Sequence, residues 1–260
     1  MPDVDAPAAV AFATTAAGHR LHVDPDDERG QELVRSGAAM NEGSRRLWAA
    51  VLGQRDWDVV VDVGANYGEM TLGVPVPAGA RIVCFEPNPR VLPHLRRSLR
   101  EAGLAVDLRE EAVGAREGTA DFALDTVWSG RSGLAAVRRT DVENPVETVT
   151  VPVVTLDSAL ALSDTDSVCV KVDVEGGELD VLEGARRLVS GRPWAVMVEV
   201  LHLDLFEKAE LAATCTMRVM DLRTGDLVVV PPASPHRVAE LLGSGWVHGQ
   251  DVVLTARDAA

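Results

Sequence analysis

The chain has 260 residues, 47% hydrophobic and 25% charged, a globular balance that excludes disorder, collagen and coiled coil. The length fits one α/β domain with a sizeable core. Basic and acidic residues number 25 and 40, a formal charge of −15; that field repels phosphate backbones, disfavours nucleic acid, and tolerates a cationic ligand.

No apolar run approaches the roughly 20 residues needed to cross a bilayer, so no membrane partner is expected. The start Met1-Pro2-Asp3-Val4-Asp5 is acidic, where an export signal opens basic. Cys84, Cys169 and Cys215 form no CxxC pair and read as free thiols in a reducing compartment. Together these features point to a cytoplasmic protein. Residues 1–18 read as a flexible leader poor in bulky apolar groups, 19–56 as an N-terminal cap segment, and 57–260 as the main domain.

Residues 20–24 suit a short strand and 24–28 an acidic turn. Leu47, Trp48 and Val51 predict a helix over 44–52. From there the pattern becomes βαβ. Strands are expected at 58–65, 80–87, 106–113, 167–174 and 195–200. Helices are expected at 89–102 and 178–189. In the first of these, Leu92, Leu95 and Leu99 face the sheet, while Arg96, Arg97 and Arg100 form a solvated face. Residues 122–125 and 149–156 read as an antiparallel flap, and 216–222 with 227–230 as a hairpin. A helix at 235–242 and a strand at 251–255 follow. Such alternation gives a mostly parallel sheet covered on both faces, with ligands outside the carboxyl ends of its strands.

The end of the first of these strands and the turn after it contain Asp62, Gly64, Asn66 and Gly68. The glycines let backbone turn sharply and approach a ligand. This is not GxGxxG, so a pyrophosphate has less backbone to rest on. Asp62 instead suits a cationic group, such as the ammonium or sulfonium of S-adenosylmethionine. After the second strand comes Phe85-Glu86-Pro87-Asn88-Pro89. Glu86 lies about twenty residues past Gly64, the spacing at which an acid accepts ribose hydroxyls. Nicotinamide enzymes and methyltransferases share that spacing. Glu111 and Ala112, at the end of the third strand, suit either an adenine edge or a plain turn.

The fourth strand carries Lys171, which is costly to bury without an acid partner; Asp173, Glu175 and Glu199 are the candidates. Glu178 then opens a helix as a first-turn acid. Glu199 and His202 emerge together where the fifth strand ends.

The segments VVVDVGANYGEMTL, VCFEPNPRVLPHLRRSL, VVTLDSAL, VCVKVDVEGGELDVLEGARRLV and VMVEV resemble, in this order, FkbM-type S-adenosylmethionine-dependent methyltransferases. KVDVEGGE is the most specific of them. The resemblance implies a class I methyltransferase (Rossmann-like) α/β fold. Its sheet is mostly parallel and seven-stranded, with an antiparallel last strand and helices on both faces. It also implies O-methylation of a sugar or natural-product hydroxyl on a small-molecule acceptor, with S-adenosylhomocysteine as product. Asn41-Glu42 resembles a Tyr-Glu element of the family, which adds Glu42 to the expected cofactor contacts. The full set is Glu42, Asp62, Gly64, Asn66, Gly68, Glu86, Pro87, Asn88, Glu111, Ala112 and Asp173. Loop 128–133 is expected to touch substrate. His202 is the first choice of general base and Asp173 the second, with Glu199 orienting the imidazole and Lys171 in the same network. Asp173 and Glu199 could alternatively hold a divalent cation; two carboxylates are too few ligands, so no metal is assigned. A homodimer is compatible with the sequence. Two other readings are a nicotinamide-dependent oxidoreductase on a related sheet and a non-catalytic partner-binding domain.

Overall fold

A computed structural model describes residues 11–138 and 144–257. β1 (Ala11–Thr14) and β2 (Arg20–Val23) form a hairpin, followed by α1 (Glu28–Arg35) and α2 (Glu42–Leu52). Then β3 (Val59–Val63), α3 (Glu69–Gly73), β4 (Arg81–Phe85), α4 (Leu92–Ala102) and β5 (Val106–Arg109) alternate. A four-stranded flap comprises β6 (Ala112–Val113), β7 (Gly118–Asp125), β8 (Gly133–Leu134) and β9 (Val146–Val154). The chain continues through α5 (Leu156–Ala159), β10 (Val168–Val172), α6 (Glu178–Glu183), β11 (Trp194–Glu199) and α7 (Leu205–Thr214). It ends with β12 (Thr216–Asp221), β13 (Leu227–Val230), α8 (Pro235–Leu242) and β14 (Val247–Thr255).

The central sheet runs β13-β12-β14-β11-β10-β3-β4-β5. The five strands from β11 to β5 are mutually parallel. The last strand, β14, is antiparallel to both neighbours. This is the expected class I methyltransferase sheet, with eight strands where seven were expected. The hairpin adds its second arm, β13, to the edge beyond β12.

β3 (VVVDV) and β10 (VCVKV) are buried along their whole length, as strands covered on both faces must be. Val61, Val170 and Val198 pack with Val181 of α6 and Val238 of α8. On the other face, Val60, Cys169 and Met197 pack with Leu47, Trp48 and Val51 of α2, and Ile82 and Cys84 with Leu95 and Leu99 of α4. Arg96 and Arg97 pair with Glu110 and Glu101 at the surface, as a solvated helix face would.

Several elements differ from expectation. Of the leader, residues 1–10 lie outside the described residues, whereas 11–14 form β1, whose Ala13 joins a core with Leu21, Val23 and Leu95. The third strand breaks at 110–111 into β5 and β6, and the helix from 178 ends at Glu183. α1 and α7 carry weak apolar patterns and are fixed by capping. Asp27 accepts from the backbone N–H of Arg29 and Gly30, and Asp204 and Glu207 form a capping box. No helix among the described residues is long and apolar enough to cross a membrane.

Candidate active site

From β3 the sheet grows one way through β4 and β5, and from β10 the other way through β11. The strand order therefore reverses between β3 and β10, where open α/β sheets bind ligands. A cavity of about 400 Å³ opens at that rim, within the range of small-molecule sites. The flap side chains Phe122 and Leu134 form an apolar wall, and residues 128–132 cross it.

On one side stands the Glu86 carboxylate. Asn66, in left-handed backbone (φ +48°), donates its N–H to Glu86 Oε2 at 2.7 Å. Asn88 donates its own to Oε1 at 2.8 Å. The acid is thus held from both sides at the strand end. Burial pushes its pKa up to about 7, against the lowering effect of these two bonds and of Lys171. Gly64 (φ +77°) lies so near β10 that a Cβ there would overlap the Asp173 carbonyl oxygen. Gly64, Asn66, Glu86, Pro87, Glu111, Ala112 and Asp173 all line the cavity.

Four of the expected cofactor contacts do not line it. Gly68 (φ +90°) turns the chain into α3 against Leu95. Asn88 is buried and acts as a brace for Glu86. Glu42 is the exposed first residue of α2, and the preceding Asn41 lines the cavity instead. Asp62 is buried within β3, where Thr71 Oγ1 donates to its Oδ2 at 2.8 Å. It is an internal counter-charge rather than an acceptor for a ligand cation.

Lys171 is the reason. β3 and β10 pair in a register that sets Lys171 opposite Asp62. Its Nζ donates to the Gly64 carbonyl at 2.9 Å and lies 3.3 Å from Asp62 and 3.5 Å from Asp173. Burial alone would lower the lysine pKa; the charges of Asp173, Asp62 and Glu69 outweigh it and hold the ammonium protonated. Of the partners expected for Lys171, Asp173 is confirmed, whereas Glu175 and Glu199 turn to His202. His202 Nε2 lies 3.3 Å from Glu175 Oε2 and 3.6 Å from Glu199 Oε2.

Glu175 sits at φ +62°. The buried Glu178 steadies that turn by accepting the N–H of Val174 at 3.2 Å and of Gly176 at 3.0 Å. Glu199 is buried, and its Oε1 accepts from Gln250 Nε2 at 3.1 Å. Burial raises the pKa of both glutamates, and Asp173 adds repulsion to each. The bond to Glu175 raises that of His202. Asp173, with its side chain 29% exposed, is the carboxylate of this corner most open to the cavity.

Sequence reasoning missed Arg29 and Gln250, both of which line the cavity. Arg29 comes from α1 and is paired with Glu69. Gln250 precedes the apolar run of β14 that marks that strand. A polar side chain just outside an apolar run was the available signal for Gln250, and α1 offered none for Arg29. Glu175 was visible within KVDVEGGE, but only as a lysine partner. Of the loop 128–133, Trp128, Ser129, Gly130, Arg131 and Ser132 line the cavity.

The sequence matches the family model described as the methyltransferase FkbM domain over residues 62–224. No curated protein matches it. Similar solved structures include an FkbM methyltransferase from Methylobacillus flagellatus KT, at 18% identity and TM-score 0.47, covering 89% of this chain. This chain spans only 62% of that one's length. A putative O-methyltransferase from Klebsiella pneumoniae has 14% identity and TM-score 0.42, with 91% of each chain covered. The N-terminal domain of human METTL16, solved in complex with SAH, has 9% identity and TM-score 0.40, with 95% of this chain and 89% of that one covered.

Proposed function

This chain belongs to the FkbM family of methyltransferases, and on that premise we propose that it moves the methyl group of S-adenosylmethionine to a hydroxyl of a sugar or natural-product small molecule. The observation that carries the reading is one cavity with two unlike ends. At one end Glu86, braced by two backbone N–H groups, is set to accept ribose hydroxyls. At the other end Asp173, Glu175 and Glu199 gather beside His202. The apolar flap wall suits the adenine, and the acidic end suits a sulfonium rather than a pyrophosphate.

The reaction is an in-line displacement. An acceptor oxygen attacks the methyl carbon, the C–O bond forms as the C–S bond breaks, and the electron pair returns to sulfur. Much of the acceleration comes from positioning, because the donor is already activated. The hydroxyl proton must also leave. His202 Nε2 faces two glutamates, and the cavity-facing Asp173 is the better-placed acceptor of that proton. This reverses the order of the two bases expected from sequence. Gly64, Asn66, Pro87, Glu111 and Ala112 complete the cofactor's surroundings, and residues 128–132 meet the acceptor.

The test is calorimetric titration of the full chain with S-adenosylhomocysteine and, separately, NADH. Methyl transfer to a panel of hydroxylated acceptors is then followed by product mass. Saturable S-adenosylhomocysteine binding and a product heavier than its acceptor by one methylene are expected. Binding of NADH alone would move the chain to the nicotinamide reading. S-adenosylhomocysteine binding with no product from any acceptor would favour the partner-binding one.

A further inference from the structure

The corner made by Glu175, Glu199 and His202 gathers more acidic groups than basic ones. Lys171 is engaged by Asp62, Asp173 and the Gly64 carbonyl, and Arg29 is paired with Glu69. Among the described residues, Asp173, Glu178 and Asp251 add acidic charge that bears on its glutamates, and Gln250 offers Glu199 a neutral donor. One ligand atom from each of Glu175, Glu199 and His202 lies within 4.8 Å of the others. The imidazole-to-carboxylate separations of 3.3 and 3.6 Å are near the ~3 Å between adjacent ligands of an octahedral cation with bonds of ~2.1 Å.

A separate observation points to a ligand. Glu199 is only 6% exposed. Its Oε1 is satisfied by Gln250, while Oε2 is buried with no hydrogen-bond partner among the described residues. That oxygen is the one aimed at His202 Nε2. A buried carboxylate oxygen left in this state is costly, and a cation would satisfy it together with Glu175 Oε2.

We propose that Glu175, Glu199 and His202 bind one divalent cation, each through a single atom, on the cavity wall beside Asp173. The donor set of two carboxylate oxygens and one imidazole nitrogen suits a first-row ion such as Mn²⁺. Three protein ligands leave coordination positions free for water and the acceptor hydroxyl. This deepens the methyl-transfer reading and rests on it for the acceptor's position. A cation-bound hydroxyl is more acidic, which answers the weakness of a carboxylate as a base for an alcohol. The O–H bond breaks, its proton passes to Asp173 and then to solvent, and the freed oxygen pair forms the bond to the methyl carbon. His202 then serves as a ligand.

The experiment titrates the full chain with Mn²⁺, reading free Mn²⁺ by its paramagnetic resonance signal, with and without S-adenosylhomocysteine. One saturable site per chain is expected. Glu199→Gln and Glu175→Gln should each weaken it at least tenfold, and Glu110→Gln, at an exposed surface acid, should leave it unchanged. The second variant guards against failure of the more buried first one to fold, with thermal melting read for both. No stoichiometric site, or a site that survives both substitutions in folded protein, overturns the proposal. Competition between Mn²⁺ and S-adenosylhomocysteine also overturns it, since the corner would then take the cofactor's ammonium. Mn²⁺ binding without any S-adenosylhomocysteine binding upholds the cation site and sinks the methyl-transfer reading. Methyl transfer undiminished after chelation, with no Mn²⁺ bound, does the reverse.

Discussion

Removing the Glu86 carboxylate separates what that group does for the fold from what it does for a ligand. In the free protein it already accepts two backbone N–H bonds, from Asn66 and Asn88. Ribose hydroxyls would add bonds to a charged acceptor, each worth about 1.5–3 kcal/mol. Glu86→Ala should therefore weaken S-adenosylhomocysteine binding by roughly 10- to 150-fold, taking one such bond as the minimum and 1.4 kcal/mol per decade. A pH series sharpens the test. With the pKa pushed up to about 7 by burial, the ionised fraction rises from about a tenth at pH 6 to about nine-tenths at pH 8. A ligand that donates to the carboxylate binds the ionised form, so wild-type affinity should climb about tenfold across that window, and Glu86→Ala should flatten the climb. Stability runs the other way. Between the ordinary carboxylate pKa and about 7 the folded state keeps a proton that the unfolded state has lost, so Glu86 makes stability fall as pH rises through that window. Calorimetry from pH 6 to 8 checks the binding side, and urea melts of the free protein check the other. Unchanged affinity in a folded Glu86→Ala protein, or a pH climb that survives the substitution, would refute the assignment.

Lys171→Met would strip the counter-charge from Asp62 and Asp173 and leave the Gly64 carbonyl short of a donor. About 3–5 kcal/mol of stability should be lost, a fall in Tm of roughly 6–20 °C for a domain this size, and a calorimetric Tm within 2 °C of wild type would contradict the network. Because the Lys171 pKa is raised on folding, its contribution is complete at neutral pH and wanes only as pH climbs past the ordinary lysine value toward the folded one. Gly64→Ala forces a side chain onto the Asp173 carbonyl in left-handed backbone, which costs at least ~1–2 kcal/mol. It should separate the ends of β3 and β10 and weaken S-adenosylhomocysteine binding more than tenfold, and wild-type affinity by calorimetry would show that the close approach is dispensable.

The parallel core was legible because its strands need only one-dimensional signals. Val59 to Val63 and Val168 to Val172 read as buried strands on composition alone, and the glycines of VDVGANYG mark where the chain must turn. α1, α7 and the sheet position of β13 escaped for physical reasons. The β13 hairpin arm was visible, but its place on the sheet edge is a tertiary choice. α1 buries only Gly30 and Leu33, so it lacks a stripe to betray it, and the Asp27 cap holds it against the site.

The acids divide along the same line. Glu86 could be assigned from sequence because its position follows from a strand end and a spacing. Asp62 and Lys171 could not be paired in advance: their contact comes from the register between β3 and β10, across more than a hundred residues. Once that register sets Lys171 on Asp62 and Asp173, it is no longer available to Glu175 and Glu199. The two glutamates are then left with His202, whose single Nε2 faces both. One imidazolium cannot neutralise two buried carboxylates, and burial has already raised the pKa of each. The corner must therefore hold a proton, an ammonium or a metal cation, and the unpartnered Oε2 of Glu199 marks where that positive charge is wanted.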